Sequence, residues 1–198
     1  MSTIELEKQI SSTDGHRPQT ISLSGKILIG VTAPALRRHC LPYVPATTNQ
    51  IRNVLSFVKP ACSGSRLLDI GSGDGRIVIA AARAQPSIKA DGVELNPWLV
   101  YFSRLAALRN GVFNRTSFVR KDLWKFSLAP YDHIVIFGVE QMMEDLEKKV
   151  LREAAPGTTV IACRFPFPTL KTEKRIEEGV DSVWVYRPVA AQPVEPST

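Results

Sequence analysis

The stretch Leu67-Leu68-Asp69-Ile70-Gly71-Ser72-Gly73-Asp74-Gly75-Arg76 constrains this chain more than any other. A short apolar run from Leu67 to Ile70 breaks into three alternate glycines, and these lead into the alanine-rich run Arg76–Ala84. That order spells a buried strand, a tight turn and a helix. Glycine is needed in such a turn for two reasons: backbone angles that side chains resist, and close approach of a ligand to bare backbone. In an open α/β sheet the turn after the first strand lies at the carboxyl end, where ligands bind.

The rest of the chain repeats the alternation. Thr47 or Thr48 can cap a helix in which Ile51, Val54, Leu55 and Val58 fall at helical spacing. Further strands are expected at 90–95, 116–120, 131–137, 158–165 and 180–186, with helices at 98–110 and 142–154. Strand–helix alternation of this length implies right-handed crossovers and a mainly parallel sheet covered on both faces. Only a weak spacer separates the last two strands, which allows an antiparallel pair at one edge.

The glycine spacing selects the ligand. A dinucleotide fingerprint reads GxGxxG and seats a pyrophosphate on the helix N-terminus. Here Gly71, Gly73 and Gly75 follow GxGxG, with Asp69 before the turn and Asp74 inside it. Two carboxylates would repel a pyrophosphate and attract a cation, which favours S-adenosylmethionine with its ammonium and sulfonium. Asp69, Gly71, Ser72, Gly73 and Gly75 are then expected around the donor's amino-acid end. Glu94, closing the second strand, is expected to take both ribose hydroxyls, with Leu95 and Asn96 beside it. Asp122 is expected to accept the adenine amino group, and the Leu123 N–H to meet a ring nitrogen. The expected fold is α/β: a Rossmann-like, seven-stranded class I S-adenosylmethionine methyltransferase, mainly parallel with an antiparallel edge strand.

Composition narrows the setting. The 198 residues suffice for one α/β domain with short extensions, and 44% hydrophobic with 22% charged residues is ordinary for a globular protein. The net charge of +6 suits nucleic acid, anionic lipid, an acidic partner or a mitochondrial matrix protein, so it selects none of them. Cys40, Cys62 and Cys163 are scattered, as are His16, His39 and His133; neither a disulfide framework nor a metal site is expected. Residues 1–24 read as a disordered N-terminal segment, 25–40 as a short apolar stretch, 41–187 as the catalytic domain and 188–198 as a flexible tail. The apolar stretch falls well short of the roughly 20 residues that span a bilayer.

Several segments, "LPYVPATTNQI", "DIGSGDGRIVIAAA", "GVELNPWLV", "KDLWK", "VIFGVEQMM", "ACRFPFP" and "EGVDSVWVY", together resemble the mitochondrial protein-lysine methyltransferases that modify the ATP synthase c subunit. A sister family acting on the adenine nucleotide translocase looks more distant. The likeness runs from about Val31 to Tyr186. It implies the seven-stranded fold, S-adenosylmethionine as donor and methylation of a lysine amine in a mitochondrial inner-membrane protein. The c subunit is the expected protein substrate, with peripheral contact to the inner membrane and no nucleic-acid partner. The sequence departs from the family's membrane-associated segment, of which 25–40 is a remnant, so a cytosolic location is the alternative if targeting fails.

Methyl transfer to an amine needs an in-line arrangement and a neutral lysine, and desolvation supplies the latter by lowering the lysine pKa. An aromatic channel is therefore expected, walled by Tyr43, Trp98, Phe165 and Phe167, with Glu140 beyond the fourth strand orienting the amine. Gly138-Val139-Glu140-Gln141 stands where nucleic-acid amine methyltransferases carry Asn/Asp-Pro-Pro-Tyr/Phe. The alternatives are an RNA or small-molecule methyltransferase, an enzyme acting on the translocase, or a non-catalytic module keeping the fold. Glu94→Ala and Asp69→Ala are expected to abolish methylation without disturbing the fold.

Overall fold

The computed structural model describes residues 44–59 and 63–188. The expectations for 1–24 and 25–40, for Tyr43, and for all of 188–198 except Pro188 lie outside these residues. Helix α1 (Thr48–Phe57) opens on Thr47, whose hydroxyl accepts the Gln50 N–H at 3.1 Å. Strand β1 (Arg66–Ile70) runs through the glycine turn into α2 (Arg76–Ala84). Next come β2 (Lys89–Glu94), α3 (Pro97–Arg109) and β3 (Thr116–Arg120). The chain continues through β4 (His133–Phe137), α4 (Glu140–Glu153) and β5 (Thr159–Cys163), and ends in β6 (Lys174–Ile176) and β7 (Val183–Tyr186).

The seven strands form one sheet in the order β3-β2-β1-β4-β5-β7-β6. β1 to β5 are mutually parallel, and β7 pairs antiparallel with both β5 and β6. The antiparallel edge is as expected; the additional strand β6 is not legible in the sequence. Its three residues, Lys-Arg-Ile, are short, charged and largely exposed, as suits an outermost strand. The chain leaves β1 toward β2 on one side and later returns to β4 on the other, which opens a crevice at the carboxyl ends of β1 and β4.

Alternation along the strands builds two cores. Leu67, Val135 and Ile161 face one side, where Val54 of α1, Ile77 and Ala81 of α2, and Val100 and Ala107 of α3 cover them. Leu68, Ile134, Ile136, Val160 and Ala162 face the other, beneath Met143, Leu146 and Val150 of α4. Several boundaries move for local reasons. β5 stops at Cys163 because Arg164 turns to φ 69°. β7 starts only at Val183 because Gly179–Asp181 is a 3-10 turn. α4 begins at Glu140, so that residue lies in the first helical turn and not in the preceding loop.

Candidate active site

The glycine turn is held from three directions. Gly71 and Ser72 donate their N–H groups to the Val93 carbonyl at 2.9 and 3.0 Å, which fastens the turn to β2. Gly71, Gly73 and Gly75 all have positive φ, at 75°, 53° and 78°. A Cβ on Gly75 would lie 2.6 Å from the Phe118 ring and 2.9 Å from Ser103, so backbone conformation and space both require glycine there. Gly92 of β2 leaves room for Ser72, whose hydroxyl would sit 2.6 Å from an added Cβ. Ser103, buried on α3, reaches the Gly73 carbonyl at 3.0 Å and the Leu99 carbonyl of its own helix at 2.8 Å, with one hydroxyl proton to share between them. Sequence reading passed over this residue; its one signal was a hydroxyl inside the buried stripe Leu99, Val100, Ala107.

Asp69 lies beneath the turn, 2% exposed, and its Oδ1 has no hydrogen-bond partner among the described residues. Burial, with help from the nearby charges of Glu94 and Asp74, pushes its pKa up to about 8. An orphaned carboxyl in a dry pocket is stabilised in its ionised form by any cation brought against it. Asp74 behaves differently. Arg76 grips it through Nε at 2.9 Å and Nη2 at 2.6 Å, and also donates from Nη1 to the Ala46 carbonyl at 2.7 Å. The expectation that both aspartates attract a cation is corrected accordingly: Asp74 is matched by its own arginine, and the demand for positive charge rests on Asp69 and Glu94.

Glu94 does more than close β2. Its Oε2 accepts the Gly73 N–H at 3.1 Å and its Oε1 the Asn96 N–H at 2.8 Å, so one carboxylate ties the glycine turn to the start of α3. Each oxygen keeps a second lone pair for a ligand hydroxyl. Glu94→Ala therefore removes two backbone anchors as well as a ligand contact. Asn96, 2% exposed, caps α3 by accepting the Trp98 N–H at 3.0 Å, and Leu95 beside it is half-buried. The Lys121 N–H bonds the Glu94 carbonyl at 3.1 Å, which sets Asp122 next to this corner. Asp122 Oδ1 accepts the Trp124 N–H at 3.0 Å and caps a 3-10 turn that carries the half-buried Leu123. Asp69, the glycines, Glu94, Leu95, Asn96, Asp122 and Leu123 are thus brought to one end of the sheet.

The expected acceptor residues are less united. Phe137 and Cys163 are partners across β4 and β5, so Glu140 and Phe165 follow neighbouring strand ends. Glu140 is exposed, and Phe165 is half-buried against the second core. Phe167 is buried, 4.9 Å from the Tyr186 ring, and its N–H donates to the Tyr186 hydroxyl; it packs the core and walls no channel. Trp98 is 52% exposed on the outer side of α3 and belongs to neither core. Arg164, which sequence reading missed, stands beside this region in the left-handed conformation with its guanidinium 4.9 Å over the Phe137 ring. Its buried Nε has no partner among the described residues. No group of His, Cys, Asp and Glu suited to a metal ion occurs among the described residues, and no helix there is long and apolar enough to cross a membrane.

Comparison with known proteins places this geometry. The model of a family described as ANTKMT methyltransferase domain matches residues 69–174. The ATP synthase c-subunit lysine N-methyltransferase of Xenopus laevis is 54% identical over 154 residues, 78% of this chain and 66% of the relative. The Homo sapiens protein of the same name is 54% identical over 153 residues, 77% of this chain and 64% of the relative. The chain thus spans just under two thirds of the length of these relatives. An RNA methyltransferase from Salinibacter ruber, solved with S-adenosyl-L-homocysteine, superposes with a TM-score of 0.69 at 25% identity, covering 78% of this chain and 100% of that one.

Proposed function

Because the chain belongs to the ANTKMT methyltransferase-domain family, whose model spans more than half of it, we propose that it is an S-adenosylmethionine-dependent protein-lysine N-methyltransferase acting on the ATP synthase c subunit. The observation that carries the donor assignment is Asp69, a buried carboxyl with an unpartnered oxygen under a backbone cradle that tolerates no Cβ at Gly75. The residues fit the donor. Asp69 would answer its cationic amino-acid end, Gly71 to Gly75 would let backbone approach it, the spare lone pairs of Glu94 would accept its ribose hydroxyls, and Asp122 and Leu123 would hold its adenine. When bound, S-adenosylmethionine supplies an electrophilic methyl group on sulfur.

The chain's own contribution is position and dryness. Glu94, fixed by Gly73 and Asn96, holds one wall rigid. Phe165 at the end of β5 offers the target lysine an apolar surface, which favours its neutral form. Glu140, in the first turn of α4, is placed to accept an N–H of that amine and so aim its lone pair; Trp98 marks the outer rim. The c-subunit target rests on the relatives named for it, and this reading locates the protein at the mitochondrial inner membrane.

The test is incubation of the purified protein with methyl-labelled donor and inner-membrane proteins from cells lacking this methyltransferase. Mass spectrometry should find a methyl-lysine on the c subunit. Label on the adenine nucleotide translocase alone would move the substrate to the sister reading, and label confined to RNA would overturn lysine methylation.

A further inference from the structure

At the opposite end of the sheet from the glycine turn, a cavity of about 170 Å³ opens where β4 and β5 begin. Its walls come from five elements: Lys59 follows α1, His133 and Thr159 open β4 and β5, Glu173 and Lys174 lie at β6, and Arg187 follows β7. His133 is 4% exposed and its Nδ1 has no hydrogen-bond partner among the described residues. The ring is held by a hydrogen bond to the Lys59 backbone, which leaves Nδ1 as the unengaged nitrogen. A buried polar atom without a partner is costly, and the residue that carries this one lines a polar cavity.

The charges define that ligand. Arg187 Nε pairs with Glu173 at 3.0 Å, so these two offset each other. The ammonium groups of Lys59 and Lys174 make no ion pair among the described residues. Asp132, next to His133 in sequence, accepts the Arg66 N–H at 2.7 Å, and its charge also acts on the His133 ring. Two cations without an ion pair among the described residues, a threonine hydroxyl and an imidazole ring on one small concave surface match the oxygens of a phosphate group.

We propose that this cavity is a second ligand site, taking a phosphate group that bridges Lys59 and Lys174 beside Thr159 and the His133 ring. The site is one strand length from the donor pocket and shares no residue with it, so it stands whether or not the methyltransferase reading holds. The phosphate can come from a soluble monoester or from a phospholipid headgroup, and the chemistry of capture is the same.

Calorimetric titration of the full chain with inorganic phosphate and with glycerol phosphate should give saturable binding of one ligand per chain. The Lys59→Gln/Lys174→Gln double variant should bind at least roughly tenfold more weakly, while keeping its affinity for S-adenosylmethionine as proof of an intact fold. The His133 ring resonances should shift during the phosphate titration of the unaltered chain, a readout that survives if the variant fails to fold. Sedimentation with phosphatidylcholine vesicles, with and without phosphatidic acid, separates the sources. Retention that needs both the acidic lipid and the two lysines assigns a headgroup, and binding of soluble phosphates without retention assigns a free ester. Equal binding by the variant, or no binding of any of these probes together with unmoved His133 signals, overturns the proposal.

Discussion

Asp69 illustrates how a single residue couples folding to ligand chemistry. Its pKa, raised from 3.8 to about 8 by burial and by Glu94 and Asp74, means that the folded chain holds a proton which the unfolded chain has lost between those values. The stability contributed by this group is complete below about pH 4 and is lost as pH rises through about 8. A cation in the pocket favours the ionised form. Donor binding at pH 7 should therefore release a fraction of a proton, and affinity should rise toward pH 8 and then level off. Calorimetry in two buffers of different ionisation enthalpy measures this directly, and equal heats in both would contradict the placement of a cationic group against Asp69. That Asp69 lies beside the glycine turn was legible from its position before GxGxG. Its isolation was not, because the Asp74–Arg76 pairing that separates the two acids depends on helix geometry.

At the scale of elements, α4 shows how a buried charge can organise a connection. Glu147 is 3% exposed and its Oε1 accepts the N–H groups of Thr169 at 2.9 Å and Leu170 at 2.5 Å, binding the segment after β5 to the helix. Glu147→Ala leaves both donors without their acceptor, and the cost should be about 2–3 kcal/mol. Urea denaturation checks that figure, and a loss below about 0.5 kcal/mol would show that the segment is held by other contacts. α3 is apolar on both sides: Leu99, Val100 and Ala107 face the core, while Trp98, Tyr101 and Leu108 are exposed. Its existence was readable from the Asn96-Pro97 start. Which side would be buried was not, since apolar residues all round leave no moment to orient it. β6 escaped sequence reading for the opposite reason, as three residues with two charges carry no period at all.

For the molecule as a whole, the sheet and the proposed donor pocket are one structure, because Glu94 holds both the glycine turn and the start of α3. Saturating donor should therefore stabilise the entire chain, by about 2.7 kcal/mol at one hundred times its dissociation constant, visible as a rise of several degrees in Tm. Glu94→Ala should melt lower without ligand and gain almost none of that rise; a full ligand-induced shift in the variant would remove Glu94 from the pocket. Long-range closure is equally global. α1 is tied to the turn before β7 by Thr47 to Asp181 at 2.6 Å, Asn53 to Glu178 at 3.0 Å and Gln50 to the Val180 carbonyl at 3.2 Å. By itself the sequence determined the alternation of strands and helices, the glycine turn and the acid at the end of β2, because strand and helix periods and the steric demands of glycine are local properties. Only the tertiary structure decided which acid keeps an unpartnered oxygen, which aromatics stay exposed and which pack the core, and that His133 lines a basic cavity. Those outcomes depend on neighbours that lie tens of residues apart in the chain and meet only when the sheet closes.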